Sequence, residues 1–185
     1  KIMFDIKDHL IVKDNFFKPE FLSKIHNELL NSTFVNRFVD YNNGVYQKIY
    51  FNIDLDNDHY VVQEVFKTLN ERYNLDIEFL KSHYFLSTKH EKATPHNDIF
   101  KDGKGDENYL NCLIFLKGEE LLNSGTGFYD YDKETNEYNL NRHVGFKVNR
   151  AIIFDSKIYH ASLQFNTQSA KRYVMANFCK KIKKN

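Results

Sequence analysis

The chain of 185 residues carries 26 Lys and Arg against 25 Asp and Glu, a formal net charge of +1. That balance points to no nucleic-acid partner and no acidic membrane surface. Aromatic residues make up 16%, with 17 Phe and 12 Tyr, which excludes a disordered chain and supplies a real hydrophobic core.

The length suits a single domain over residues 1–185. In chain order, the first element is a short strand within Leu10–Phe17 that runs into a turn. Lys18-Pro19-Glu20 then opens a helix, because Pro is tolerated in a first helical turn. Phe21, Leu22, Ile25, Leu29 and Leu30 follow at helical spacing, and Asn31-Ser32 ends the run. Residues 45–53 alternate as a strand, and Asp54 to Asp58 is a polar turn. Tyr60 to Tyr73 is helical, with Val61, Val62, Val65, Phe66 and Leu69 on one stripe. From Ile77 the character changes to short β-rich segments divided by polar or Gly turns. These are Leu80–Leu86, Pro95–Phe100, Tyr109–Leu116, Gly127–Tyr131, Val144–Val148, Arg150–Phe154, Ile158–Ala161 and Tyr173–Phe178.

Helices early and strands late indicate an α+β, mainly β, chain: a sandwich or barrel over about 77–180 buttressed by helical support over about 18–75. The polar segments around 36–47, 101–108 and 133–142 are the expected substrate-holding loops, the last two as lids. Cys112 and Cys179 each sit in an apolar run, so free thiols and a reducing, cytoplasmic location are expected. No apolar run approaches the about 20 residues of a membrane helix, and Lys1 onward shows no signal-peptide pattern.

Three segments carry chemistry. In Thr94-Pro95-His96-Asn97-Asp98, extended backbone would turn His96 and Asp98 to the same face. An imidazole beside a carboxylate suits the two-His-one-carboxylate set of non-haem iron sites, although His-x-Asp alone is a weak signal. The second segment, Asn149-Arg150-Ala151-Ile152-Ile153-Phe154-Asp155-Ser156-Lys157-Ile158-Tyr159-His160, is an apolar strand, a polar turn and a second strand that ends in His160. In the third, Arg172, Val174, Ala176 and Phe178 share one strand face, which leaves a cation on an otherwise apolar surface. Such a cation needs a partner, and its planar fork fits a carboxylate. A structural ion pair is the plainer reading of Arg172.

Taken together, the order and spacing of these segments resemble the 2-oxoglutarate/Fe(II)-dependent dioxygenase superfamily, and within it the prolyl-4-hydroxylase-like branch. The N-terminal Val12-to-Leu22 opening, Tyr109–Lys117 and Gly125-Thr126-Gly127-Phe128-Tyr129 are similar to that branch as well. The resemblance implies a double-stranded β-helix (jelly-roll, cupin-like) with N-terminal helices. It implies Fe(II) held by His96, Asp98 and His160, with 2-oxoglutarate and O2 as co-substrates and ascorbate to keep the iron reduced. Arg172 would pair with the distal carboxylate of 2-oxoglutarate, with Lys171 as rival, and Tyr84 would hydrogen-bond the same molecule. The retained Asp98 separates the chain from the halogenases of this superfamily, so hydroxylation, or a related oxidation such as desaturation, is the expected chemistry, with release of succinate and CO2. The substrate would be a peptide residue such as proline or a small amino-acid-like metabolite. The competing reading is a non-catalytic or zinc-binding cupin-like module.

Other motifs have plain readings. Asp54–Asp58 lacks the Gly and distal Glu of a calcium loop. Gly125-x-Gly127 is followed by no Lys-Ser/Thr and is not a phosphate loop. Lys180–Lys184 reads as a solvated tail. Histidines 9, 26, 59, 83, 90 and 143 lack metal spacing, and His83 and His90 read as surface or loop groups.

Overall fold

The computed structural model describes residues 10–41, 45–73, 75, 77–87, 94–98, 109–163 and 171–181, with side chains described outside 36–51 and 181. The elements in chain order are β1 (Ile11–Lys13), α1 (Pro19–Asn31), β2 (Val35–Tyr41), β3 (Val45–Leu55), α2 (Tyr60–Tyr73), β4 (Ile77–Ser87), β5 (Tyr109–Lys117), β6 (Gly125–Asp132), β7 (Glu137–Gly145), β8 (Arg150–Asp155), β9 (Tyr159–Leu163) and β10 (Arg172–Lys181).

Both helices form where the apolar stripe predicts. Pro19 sits at the start of α1, and Ile25 and Leu29 are buried one turn apart. In α2 the buried stripe is Val61, Val62, Val65, Thr68 and Leu69. Three valines are poor helix formers, and here burial of the face outweighs propensity.

The strands make two sheets. One has seven strands in the order β1-β8-β5-β10-β4-β3-β2, the other three in the order β7-β6-β9. Neighbouring strands run antiparallel. At β5 and β8 the larger sheet is buried on both faces, which explains why these strands read as continuous apolar runs rather than alternating ones. One face meets the helices: Cys112 and Ile114 of β5, and Met175 and Cys179 of β10, cluster with Ile25, Leu29, Val61, Val65 and Leu69. Across from it, Phe115, Ile152 and Phe154 pack with Phe128, Val144 and Phe146, with Val174 and Leu113 alongside. The metal-binding candidates lie at this second interface.

Several expectations need correction. The segment Lys133–Arg142, expected as a lid, is the tip of the β6–β7 hairpin followed by strand, and β7 ends at Gly145 where a strand over Val144–Val148 was expected. Seven consecutive residues of β7 are exposed, so backbone pairing to β6 holds the strand and the alternation of Tyr138 and Leu140 with polar neighbours marks no buried face. Likewise residues 36–41 and 45–47, expected within a substrate loop, pair as β2 and β3. Residues 101–108 lie outside the described residues, as do 182–185 of the basic tail, while Lys180 and Lys181 end β10. Both cysteines are free and buried, as expected, and burial pushes the Cys112 thiol up to about 12. Among the described residues no helix is long and apolar enough to cross a membrane.

Asn149 and Arg150, part of the segment singled out above, serve the fold. Asn149 has φ of 64°, a left-handed conformation that Asn tolerates better than most residues. Its side chain accepts from the Phe17 amide at 2.9 Å and donates to the Phe17 carbonyl at 2.9 Å. Arg150 clasps Asp14 through two bonds of 2.6 and 3.1 Å, and Lys147 adds a third at 2.8 Å. Those hydrogen bonds hold the Asp14 carboxyl well below the usual carboxylate range. Asn149→Ala is expected to cost about 3–5 kcal/mol, from lost buried hydrogen bonds and a strained φ. Asn149→Gly should cost about 1 kcal/mol less, since Gly relieves the φ alone. Urea denaturation measures both, and equal losses would show that the left-handed backbone contributes nothing.

Candidate metal centre

Residues 94–98 do not form the strand expected over Pro95–Phe100. The structure has an isolated bridge at His96, and 99–100 lie outside the described residues. The bridge nevertheless does the work of a strand. The His96 amide donates to the His160 carbonyl at 3.0 Å, and the His160 amide returns the bond to His96 at 2.8 Å. The Asp98 amide donates to the Ser156 carbonyl at 2.9 Å. Two residues far apart in sequence are thus clamped side by side by their own backbone.

The turn that presents His160 is built locally. Asp155 accepts from the Lys157 amide at 2.8 Å through its side chain and from the Ile158 amide at 3.0 Å through its carbonyl. The chain therefore leaves β8, turns over Asp155–Ile158 and enters β9 with His160 directed at the bridge partner.

The side chains of His96, Asp98 and His160 converge, with one ligand atom from each lying within 4.8 Å of the others. His160 Nε2 is 3.2 Å from Asp98 Oδ2, and His96 Nε2 is 3.9 Å from Oδ1. Each imidazole is fixed from behind: His96 Nδ1 bonds the Thr94 carbonyl at 3.0 Å and His160 Nδ1 the Ile158 carbonyl at 3.0 Å. A carbonyl only accepts, so both Nδ1 atoms carry a proton, and both Nε2 atoms are turned toward the same point, where a metal would draw on their lone pairs. Two imidazole nitrogens and a carboxylate are the donor set of the facial triad, which leaves open positions on a six-coordinate metal.

The electrostatics fit that role. Burial pushes the Asp98 carboxyl up, but the hydrogen bond from His160, the charge that His160 and His96 carry when protonated and the Asn111 amide outweigh it and hold it below its ordinary value. Phe154 packs edge-on against His160 at 4.8 Å, with Phe128 at 6.5 Å behind. The His96 side chain is 56% exposed against 8% for His160, so the centre opens on the His96 side.

Arg172 is buried on the same interface. Its guanidinium lies 4.6 Å over the Phe146 ring and donates to the Leu163 and Gly125 carbonyls at 3.3 and 3.4 Å. Burial lowers its pKa to about 10, so it remains a cation at neutral pH. Leu163 stands three residues beyond His160 on β9, which places Arg172 about 10 Å along the strand from the centre. Lys171, the rival, is exposed.

Tyr84 is not at the site. It pairs with Met175 and packs in the helix-side core, 6.2 Å from the His59 ring. Burial first, then Glu28 and Tyr60, pushes its hydroxyl pKa up. The preceding residue, His83, pairs with Ala176 and so takes the Arg172 face. It is 3% exposed and stacks on Phe178 at 5.4 Å, rather than lying on the surface as expected. Among the described residues, the His-Asp-His group is the one cluster of three such side chains that could hold a metal ion. His26, His59 and His143 bond the Leu116 carbonyl, Glu28 and the Ser124 carbonyl instead. Asn111, which donates to Asp98, and Phe146, beneath Arg172, escaped sequence reasoning because each looks like any other strand residue.

No protein-family model matches the chain, and no curated protein matches it. Solved structures do. HygX from Streptomyces hygroscopicus, with nickel and 2-oxoglutarate bound, aligns with a TM-score of 0.62 at 12% identity over 93% of this chain and 82% of that one. The viral collagen prolyl hydroxylase vCPH from Paramecium Bursaria Chlorella virus-1, in complex with 2-oxoglutarate, gives 0.56 at 11% identity over 96% and 98%. A Pseudomonas putida prolyl-4-hydroxylase gives 0.58 at 11% identity over 94% and 93%. At such identities the likeness is one of fold, and the fold is the double-stranded β-helix these oxygenases share.

Proposed function

On a fold shared with 2-oxoglutarate/iron oxygenases, we propose that this chain is a non-haem Fe(II), 2-oxoglutarate-dependent dioxygenase. The observation that carries the reading is the convergence of His96, Asp98 and His160 within 4.8 Å, with both Nδ1 atoms bound from behind. These residues hold the iron. Arg172, a buried cation about 10 Å along β9 from the centre, receives the distal carboxylate of 2-oxoglutarate, and its fork sets the register of the keto acid. When bound, iron with 2-oxoglutarate and O2 supplies oxidation of an unactivated C–H bond, with succinate and CO2 as by-products.

The protein supplies binding, orientation and exclusion of water. Phe128 and Phe154 shield His160 from solvent, and Asp98 is held ionised. Substrate approaches from the exposed His96 side. Retention of Asp98 as a third ligand supports hydroxylation. The prolyl hydroxylases among the structural neighbours support a peptide residue such as proline as substrate. HygX, solved with hygromycin B bound, supports a small molecule. Location in the cytoplasm and organisation of residues 1–185 as one domain belong to the same reading.

The test needs no substrate. Anaerobic, Fe(II)-loaded protein titrated with 2-oxoglutarate is expected to develop the visible metal-to-ligand charge-transfer band of a chelated keto acid. Folded, iron-loaded protein that shows no band would shift the assignment to a zinc-binding or non-catalytic β-helix module.

A further inference from the structure

We propose that Asn111 is a positioning residue for the metal centre: its amide fixes the Asp98 carboxylate in the orientation that meets the two imidazoles. This rests on reading His96, Asp98 and His160 as metal ligands.

Asn111 stands within β5, between Phe154 on β8 and Phe178 on β10, and is 1% exposed. Its Nδ2 donates to Asp98 Oδ2 at 2.6 Å. An ionised carboxylate only accepts, so the amide cannot be turned round. Asn111 Oδ1 is then left buried with no hydrogen-bond partner.

That orphan, shared among the described asparagines with Asn70 of α2, sets Asn111 apart from Asn177 and Asn149. Asn177 accepts from Ser82 and donates to the Cys112 carbonyl, and Asn149 accepts from and donates to Phe17. Both satisfy the two ends of the amide. Asn111 satisfies only the end that serves Asp98, and a buried orphan acceptor weighs against the fold. An apolar side chain would fit beside Phe154 and Leu113, which belong to the phenylalanine, isoleucine and valine cluster of this interface. The Asp98 bond is what the asparagine adds.

The pattern also completes the set. His96 and His160 are each oriented by a backbone carbonyl, and ligating carboxylates need an outer partner for the same reason. Asn111 is that partner for the third ligand.

The test compares Asn111→Leu, which removes the donor and the orphan together, with Asn111→Thr, which restores a hydroxyl donor. Co(II) affinity is read from ligand-field absorption in competition with a chelator, and stability of the metal-free protein from urea denaturation. We expect Asn111→Leu to weaken Co(II) binding about 10- to 100-fold while its metal-free midpoint stays at or above the wild-type value. Asn111→Thr should recover part of the affinity. Unchanged Co(II) affinity in Asn111→Leu overturns the proposal. So does a lowered midpoint or an unfolded Leu variant, which would assign Asn111 to the fold. His96→Ala serves as the control for the underlying reading: if the wild type binds Co(II) no more tightly than His96→Ala, the metal centre itself fails, whatever Asn111 does.

Discussion

His160→Ala is expected to lose iron while keeping its fold. Outer partners of metal ligands alone account for about 10- to 100-fold in affinity, so loss of a ligand should exceed about 100-fold. The variant should fold because the clamp between residues 96 and 160 runs through backbone amides and carbonyls that Ala retains. Asp98 would lose its hydrogen bond to His160, the strongest influence holding its carboxyl down, and that carboxyl would rise. The measurement is a thermal or chemical unfolding curve with and without metal. At about 100 times its Kd a ligand adds about 2.7 kcal/mol to the stability of the native state. The wild type should show that gain and His160→Ala should show none. A variant stabilised as much as the wild type would remove His160 from the ligand set. Since the imidazoles bind as neutral rings, metal affinity should also fall as pH is lowered.

Arg172→Leu is expected to bind iron normally and lose 2-oxoglutarate. Removing one partner of a buried, hydrogen-bonded charge pair costs about 2–5 kcal/mol, about 30-fold or more in affinity. Comparison with a keto acid that lacks the distal carboxylate, 2-oxobutyrate, isolates the cause. The wild type should prefer 2-oxoglutarate strongly, and Arg172→Leu should bind the two alike. Arg172→Lys should fall between, because an ammonium keeps the charge but not the planar fork. Retained preference for 2-oxoglutarate in the Leu variant would show that another group receives the distal carboxylate.

The convergence of His96, Asp98 and His160 was legible from the order and spacing of their segments. His96 and Asp98 are two apart and His160 follows an apolar strand and a polar turn; each alone is a weak signal. Arg172 was legible by parity: on a strand it shares a face with Val174, Ala176 and Phe178, and the structure puts Val174 and Arg172 on the interface between the sheets. The helices were legible because their buried stripes repeat at helical spacing. Tyr84 failed on the same rule that served Arg172. Its face follows from its pairing with Met175, which lies with Tyr173 and Cys179 on the helix side. No pattern within β4 announces that pairing.

The information readable in the residue order is therefore local: which segments alternate or repeat, which residues can donate to a metal, and which strand faces are apolar. Only the tertiary structure decided the rest. It set the register of β4 on β10, made β7 a strand despite its polarity, turned His83 inward, and put Asn111 behind Asp98 and Phe146 beneath Arg172. The physical reason is that strand register is a property of two segments, and a slip of one residue exchanges the faces of every side chain. Pairings between residues distant along the chain are settled by the packing of both faces together.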